Sequence, residues 1–247
     1  MGEIRPTLVT GGGGGIGRAV ADELRARGNP VAIADLDRDK AEAAAAGGDG
    51  APAIAIELDV TDSVAVGEAV GLAVEAFGGL GGLVTCAGMH RPTSLADTDD
   101  AFARRLVDVN FLGTFYACRE ARAALAAHGS GRIVTIGSDS SRAGLPKGSV
   151  YSAMKGAVNS LTRSLAMELA RDGVTVNCVS PGTIDTEMLR EAADVDPRQI
   201  EKLTRMVPLR RLGSPRDIAA TVAFLLSDEA GYISAQIIPV NGGVHAG

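Results

Sequence analysis

Tyr151 and Lys155 stand four residues apart at the start of a stretch with helical character, so one helix face carries both side chains. A free phenol titrates at about 10 and a free lysine at about 10.4, so the phenol alone is a poor base at neutral pH. An ammonium beside it favours phenolate and makes the pair fit for moving a proton. Ser138 lies 13 positions before Tyr151, at the end of the apolar run RIVTIG. With three tyrosines and four lysines in 247 residues, chance places a lysine four after a tyrosine roughly 5% of the time; adding the serine lowers this to roughly 0.3%.

A second constellation sits near the N-terminus. Thr10 is followed by five glycines, Ile16 and Gly17, directly after an apolar strand and at the head of a helical stretch. Such a strand–turn–helix presents backbone N–H groups and a helix N-terminus to a pyrophosphate, with glycine where a Cβ would block the approach. Two registers fit: Gly12, Gly14 and Gly17, or Gly11, Gly15 and Gly17. The next apolar run, VAIAD, ends in Asp35, where an acid can bond both ribose hydroxyls. A carboxylate there repels a 2′-phosphate, and neither Leu36 nor Asp37 adds positive charge. The expected cofactor is therefore NAD rather than NADP, with Arg38 the nearest cation able to reach a phosphate.

The elements that must position these groups alternate. Strands are predicted at Thr7–Thr10, Val31–Asp35, Ala53–Leu58, Gly82–Cys86, Arg132–Gly137, Val174–Val179 and Gln236–Val240. Helices are predicted at Ile16–Gly28, Lys40–Ala46, Ser63–Phe77, Asp99–His128, Tyr151–Arg171 and Pro215–Leu226. Near-continuous apolar strands alternating with helices imply an α/β, Rossmann-like, doubly wound parallel sheet of about seven strands, with helices on both faces. No linker or repeat divides the chain, so residues 1–247 read as one dinucleotide-binding domain. The stretch 187–214 falls outside the alternation and is expected to be a substrate lid.

Composition narrows the classes. A net charge of -6 and a pI near 5.1 speak against nucleic acid as a partner. No apolar run approaches a membrane span, and no signal-like segment opens the chain. Cys86, Cys118 and Cys178 are scattered, without metal spacing, as in a reducing compartment. The expectation is a cytoplasmic protein without a metal.

Taken together, the chain resembles the short-chain dehydrogenase/reductase family in its roughly 250-residue, single-domain form. The resemblance rests on Thr10 to Gly17, Asp59-Val60, Ala87-Gly88, Asn110 in VDVN, Ser138, Tyr151-Ser-Ala-Met-Lys155, Pro181-Gly182 with Thr186, and the terminal VNGG. It implies a catalytic tetrad of Asn110, Ser138, Tyr151 and Lys155. Ser138 would hold the substrate oxygen, Tyr151 move the proton, Lys155 bind the nicotinamide ribose, and Asn110 support a relay water. It implies that Asp59 and Val60 flank the adenine, that Ala87 and Gly88 let the backbone approach the cofactor, and that Pro181, Gly182, Ile184 and Thr186 secure the nicotinamide amide. The family commonly reads Asn-Asn-Ala-Gly where this chain has Thr85-Cys86-Ala87-Gly88, so the bracing there must differ, and Cys86 reads as a buried inert thiol.

The expected reaction is NAD-linked hydride transfer on a secondary alcohol or ketone. The rival is a 3-oxoacyl-thioester reductase acting on acyl carrier protein or coenzyme A. Remoter readings are a dinucleotide sensor without turnover and a sugar-nucleotide epimerase, for which the 92 residues after Lys155 leave little room. Pocket walls are expected after Gly88 and around Ser138 to Ser149, where Arg91, Arg142 and Lys147 bring positive charge, and His90 reads as a loop residue. The resemblance also implies a homotetramer.

Overall fold

The computed structural model describes residues 3–47, 50–192 and 197–245. Seven strands form one sheet: β1 Thr7–Thr10, β2 Val31–Asp35, β3 Ala53–Glu57, β4 Gly82–Thr85, β5 Arg132–Ile136, β6 Thr175–Pro181 and β7 Ile237–Val240. Every pairing is parallel, in the order β3-β2-β1-β4-β5-β6-β7. Chain order reverses between β1 and β4, which opens a crevice at the carboxyl ends of those strands.

The strands work because alternate residues feed two different cores. Leu8, Ala32, Leu83 and Ile133 point into one apolar cluster; their neighbours Val9, Ile33, Val84 and Val134 point into the other. Helices α3 (Ser63–Phe77), α5 (Gly113–His128) and α7 (Ser149–Glu168) cover the first face. Helices α1 (Gly15–Ala26), α2 (Arg38–Ala46) and α10 (Pro215–Leu226) cover the second, with Val20 and Leu24 meeting Ile218 and Val222. The ends are capped conventionally: Asp62 accepts the Val64 and Ala65 N–H groups, and Ser214 forms a capping box with Asp217. Among the described residues no helix is long and apolar enough to cross a membrane.

Three segments differ from the sequence expectation. The helix expected over Asp99–His128 is interrupted: α4 (Asp100–Val107) passes through a π-helical turn, Asp108–Leu112, before α5 begins. There the Asn110 side-chain amide donates to the Leu106 carbonyl four residues back, at 3.0 Å, doing what a backbone N–H does in a regular helix. A short helix, α6 (Ser140–Ala143), follows Ser138 where none was expected. The stretch 187–214 contains α8 (Glu187–Ala192) and α9 (Pro197–Met206); positions 193–196 of the expected lid lie outside the described residues.

Glycine is indispensable at one point of the first turn and optional at another. A Cβ on Gly17 would collide with the Gly11 carbonyl oxygen, whereas one on Gly14 would meet nothing within 4 Å. Gly17→Ala is therefore expected to cost about 2 kcal/mol, or roughly 4–8 °C in Tm, while Gly14→Ala melts like the parent; calorimetry on both distinguishes them.

Candidate active site

The glycine turn resolves the two registers left open by sequence. Gly11 and Gly15 adopt φ +63 and +52, the left-handed region that favours glycine, and a Cβ on Gly11 would stand 2.6 Å from the Ala87 nitrogen. With Gly17, these are the positions that require glycine most strongly. Gly14 opens α1 without a side-chain cap and without acid in the first turn, so the first N–H groups face the crevice unclaimed by side chains. Gly13 donates its N–H to Asp35 Oδ2 at 2.9 Å, and Asp37 donates to Oδ1 at 3.1 Å. These bonds hold the carboxylate at the end of β2, with Leu36 exposed beside it.

Two cations flank that carboxylate, and both are engaged. Arg38 pairs with Glu42 at 2.8 Å. Lys40 is the nearer neighbour: its Cβ would meet a Cβ on Gly13 at 2.8 Å, and its ammonium pairs with Glu187 at 3.4 Å. Glu187 raises the Lys40 pKa, by charge and by hydrogen bond. Lys40, which the sequence reading did not weigh beside Arg38, thus also stands by this carboxylate, which raises its pKa.

Further along the crevice, Asp59 accepts the Thr61 N–H at 2.9 Å and its hydroxyl at 2.7 Å, and pairs with Arg105 at 3.4 Å. Burial pushes its pKa up, but the Thr61 bonds and Arg105 outweigh it and hold the carboxyl below the ordinary value. Val60 is buried against Gly113. Beyond β4, Ala87 donates its N–H to the Thr10 hydroxyl at 3.5 Å. That bond ties this turn to β1, and Thr85 Oγ1 is left buried without a partner. Burial pushes the Cys86 thiol up to about 12, against a weaker pull from Lys155, so it stays protonated and unreactive.

The structure brings Asn110, Ser138, Tyr151 and Lys155 together beside Gly88. A Cβ on Gly88 would stand 3.0 Å from Asn110 Oδ1 and 3.6 Å from Lys155 Nζ. Asn110, wholly buried, donates to Met89 O at 3.1 Å and accepts the Met89 N–H at 3.2 Å, locking the turn after β4 to the π-helical turn. Ser138 Oγ accepts the Ser140 N–H at 3.2 Å and the Ser140 hydroxyl at 2.9 Å. Its own hydrogen is thereby left to turn toward Tyr151, whose pKa the Ser138 hydroxyl lowers. Burial raises the Tyr151 pKa, and the Ser138 bond lowers it. Lys155 Nζ donates to the Ile136 carbonyl at 2.9 Å and lies 5.8 Å from the Tyr151 ring centroid. Burial lowers the Lys155 pKa, partly countered by the Cys178 and Cys86 thiols.

The segment after β6 forms the opposite wall. Gly182 donates to Val240 O at 3.1 Å and has no room for a Cβ beside Asn241. Ile184 is buried and bridged to Gly213, and the Thr186 methyl would lie 3.8 Å from a Cβ on Gly15. Pro181 ends β6, so this wall runs from the sheet edge directly to the glycine turn. Ile16, by contrast, packs inward on the apolar cluster under α1.

Sequence reasoning passed over His90 as a loop residue. Its ring packs on Tyr151, centroids 4.7 Å apart and tilted 38°, and its Nδ1 is buried without a partner. Burial lowers its pKa, keeping the imidazole neutral at pH 7. The sole signal in the sequence was its place two residues after Gly88. Arg142 donates to the Ile237 carbonyl at 3.3 Å, toward the sheet edge at β7.

The family model described as enoyl-(acyl carrier protein) reductase matches residues 12–245. The chain is 36% identical to the 3-oxoacyl-[acyl-carrier-protein] reductase MabA of Mycobacterium bovis, over 98% of this chain and 94% of that one. It is 37% identical to 2-(S)-hydroxypropyl-CoM dehydrogenase 3 of Xanthobacter autotrophicus, over 96% and 95%. Among solved structures, the short-chain dehydrogenase/reductase SDR:glucose/ribitol dehydrogenase of Brucella melitensis superposes with a TM-score of 0.93 at 36% identity, covering 100% of this chain and 99% of that one. The chain belongs to the short-chain dehydrogenase/reductase family of oxidoreductases.

The Ser138–Tyr151 bond makes a pH prediction. With Tyr151 as the base of an alcohol oxidation, the role proposed below, the rate rises with pH through the Tyr151 pKa. Ser138 lowers that pKa, so removing its hydroxyl raises it. Ser138→Ala is expected to reduce oxidation by about a hundredfold and to displace the remaining alkaline limb to higher pH. A pH–rate profile with the limb unmoved would contradict this assignment.

Proposed function

We propose that the protein transfers a hydride between a nicotinamide cofactor and a secondary alcohol or ketone, with Tyr151 as general acid and base. The observation that carries this reading is the meeting of Ser138, Tyr151 and Lys155 at the crevice where the glycine turn ends. The cofactor fits that crevice: Gly11 and Gly15 are left-handed, Gly17 has no space for a side chain, and the first turn of α1 is free of acid.

When bound, the nicotinamide ring supplies or accepts the hydride. The chain's own residues manage the oxygen and the proton. The Ser138 hydroxyl, oriented by Ser140, donates to the substrate oxygen. Tyr151 gives its proton to that oxygen in reduction and takes it from the carbinol in oxidation. Lys155 holds the nicotinamide ribose and, as ammonium, favours the phenolate that burial disfavours. Asn110, fixed to Met89 and Leu106, supports the water that returns the proton to solvent. Asp59 and Val60 flank the adenine, Ala87 and Gly88 pass close to the cofactor, and Pro181 to Thr186 hold the nicotinamide amide. The described parts of the stretch 187–214, α8 and α9 among them, are assigned to covering the substrate.

For the cofactor we favour NAD. Asp35 is held by the Gly13 and Asp37 N–H groups at the end of β2, where its charge would repel a 2′-phosphate, and Arg38 and Lys40 are already paired. The second reading is 3-oxoacyl-thioester reduction, favoured by the name of the mycobacterial relative. A carrier-protein surface would call for basic excess; here the segment Ala126-Ala127-His128 offers little, and Asp172 pairs with Arg122 at 3.9 Å beside Arg171. A sensor without turnover would have no need of the full tetrad.

The test is nicotinamide absorbance with secondary alcohols, ketones and 3-oxoacyl thioesters, each with NAD(H) and NADP(H). Turnover with NAD is expected, falling at least a thousandfold in Tyr151→Phe; a preference for NADPH with thioesters would favour the second reading. Asp35→Ala is expected to erode the NAD preference by about tenfold, and an unchanged preference would refute its assigned role. We further propose a cytoplasmic homotetramer, for which light scattering should give four chains; a monomer would overturn it.

A further inference from the structure

A narrow cleft, with little enclosed space of its own, lies between the segment after β4 and the start of α7, with Tyr151 among its walls. His90, Arg91, Phe102, Lys147, Ser149 and Tyr151 are among its walls, and no carboxylate lines it. Arg91 lies flat over Phe102, its guanidinium carbon 4.3 Å from the ring centroid, which fixes the charge at the cleft rim. Lys147 is held in the left-handed region, φ 60, with its carbonyl accepting the Thr93 N–H at 2.8 Å. A non-glycine residue in that conformation is strained, and such strain gathers at ligand clamps. Among the described residues neither cation is paired with a carboxylate, whereas the arginines and lysines around the glycine turn are. At the inner end, the buried, unpartnered Nδ1 of neutral His90 adds a hydrogen-bonding group beside the Tyr151 ring.

We propose that this cleft is an anion subsite: the substrate is an oxo or hydroxy compound whose carboxylate or phosphate is held by Arg91 and Lys147 while its reacting oxygen meets Ser138 and Tyr151. The inference rests on the hydride-transfer reading above and adds the substrate class to it. Two unpaired positive charges without a facing acid, at the rim of a cleft walled in part by the proton-moving phenol, select an anionic tail and disfavour a neutral one. His90 contributes a bond to a polar atom of the substrate between its two ends.

The experiment compares matched pairs in steady-state turnover: oxo-carboxylates of four to eight carbons against their methyl esters, and dihydroxyacetone phosphate against dihydroxyacetone. The charged member of the preferred pair is expected to exceed the neutral one in kcat/KM by at least tenfold. The carboxylate and phosphate arms tell the two anions apart. Arg91→Gln and Lys147→Gln are each expected to cost about tenfold with the charged substrate, through KM, and to leave kcat and the neutral substrate unchanged. Turnover of charged and neutral members alike, or variants that slow both alike, would overturn the subsite and leave the hydride-transfer reading intact. If no compound is turned over, that reading fails instead. Calorimetric titration of the protein and both variants with the same anions then decides the subsite alone: binding lost in the variants supports it, and equal or absent binding refutes it.

Discussion

The site is organised around a buried lysine amine. Lys155 is almost fully enclosed, no carboxylate is paired with it among the described residues, and its hydrogen bond goes to the Ile136 carbonyl at the end of β5. Removing a charge from water without a counter-ion is costly, and burial accordingly draws its pKa down. The fold tolerates this because both anchors are rigid: Ile136 belongs to a strand buried along its whole length, and Lys155 to a twenty-residue helix. Tyr151 lies one turn earlier on that helix, Ser138 two residues beyond that strand, so the register of α7 on β5 sets all three positions at once. A slip of one residue would dismantle the site while leaving the hydrophobic pattern of the sheet satisfied.

The neighbourhood of that amine explains why the surrounding turns are so heavily tied. Asn110 joins Met89 to the π-helical turn by two hydrogen bonds. Ser140 occupies the acceptor positions of Ser138 and so decides which way its hydrogen points. The first tie joins segments 21 residues apart and the second acts within one turn, so a long-range and a local constraint meet at the same polar pocket.

Much of this was legible in the sequence. Strands buried on both faces appear as unbroken apolar runs, so all seven were locatable to within a residue of their first position or exactly on it, and their alternation with helices implied the parallel topology. The pair Tyr151 and Lys155 needed only helical periodicity. What sequence did not reveal depends on side chains replacing backbone groups or on loops returning to the site. The break in the Asp99–His128 helix arises from an asparagine amide standing in for a peptide N–H, and apolar spacing carries no mark of that. The sequence placed His90 and Lys147 among the pocket walls, but the stacking of the His90 ring on Tyr151 depends on the packing of one turn on another. Lys40 joins Arg38 beside Asp35 because the direction of a side chain at the first turn of α2, rather than distance along the chain, decides which cation meets the crevice.

The bridge between Lys40 and Glu187 spans the crevice from the first turn of α2 to the head of α8. Both partners are well exposed, so their attraction reaches through water and counter-ions instead of protein. At physiological ionic strength such a field fades over about 8 Å, and it weakens further as salt is added. The two lips of the groove are therefore fastened by a clasp that belongs to the solvent as much as to the fold: how readily they part is set by the electrolyte outside, while the architecture beneath them stays indifferent to it.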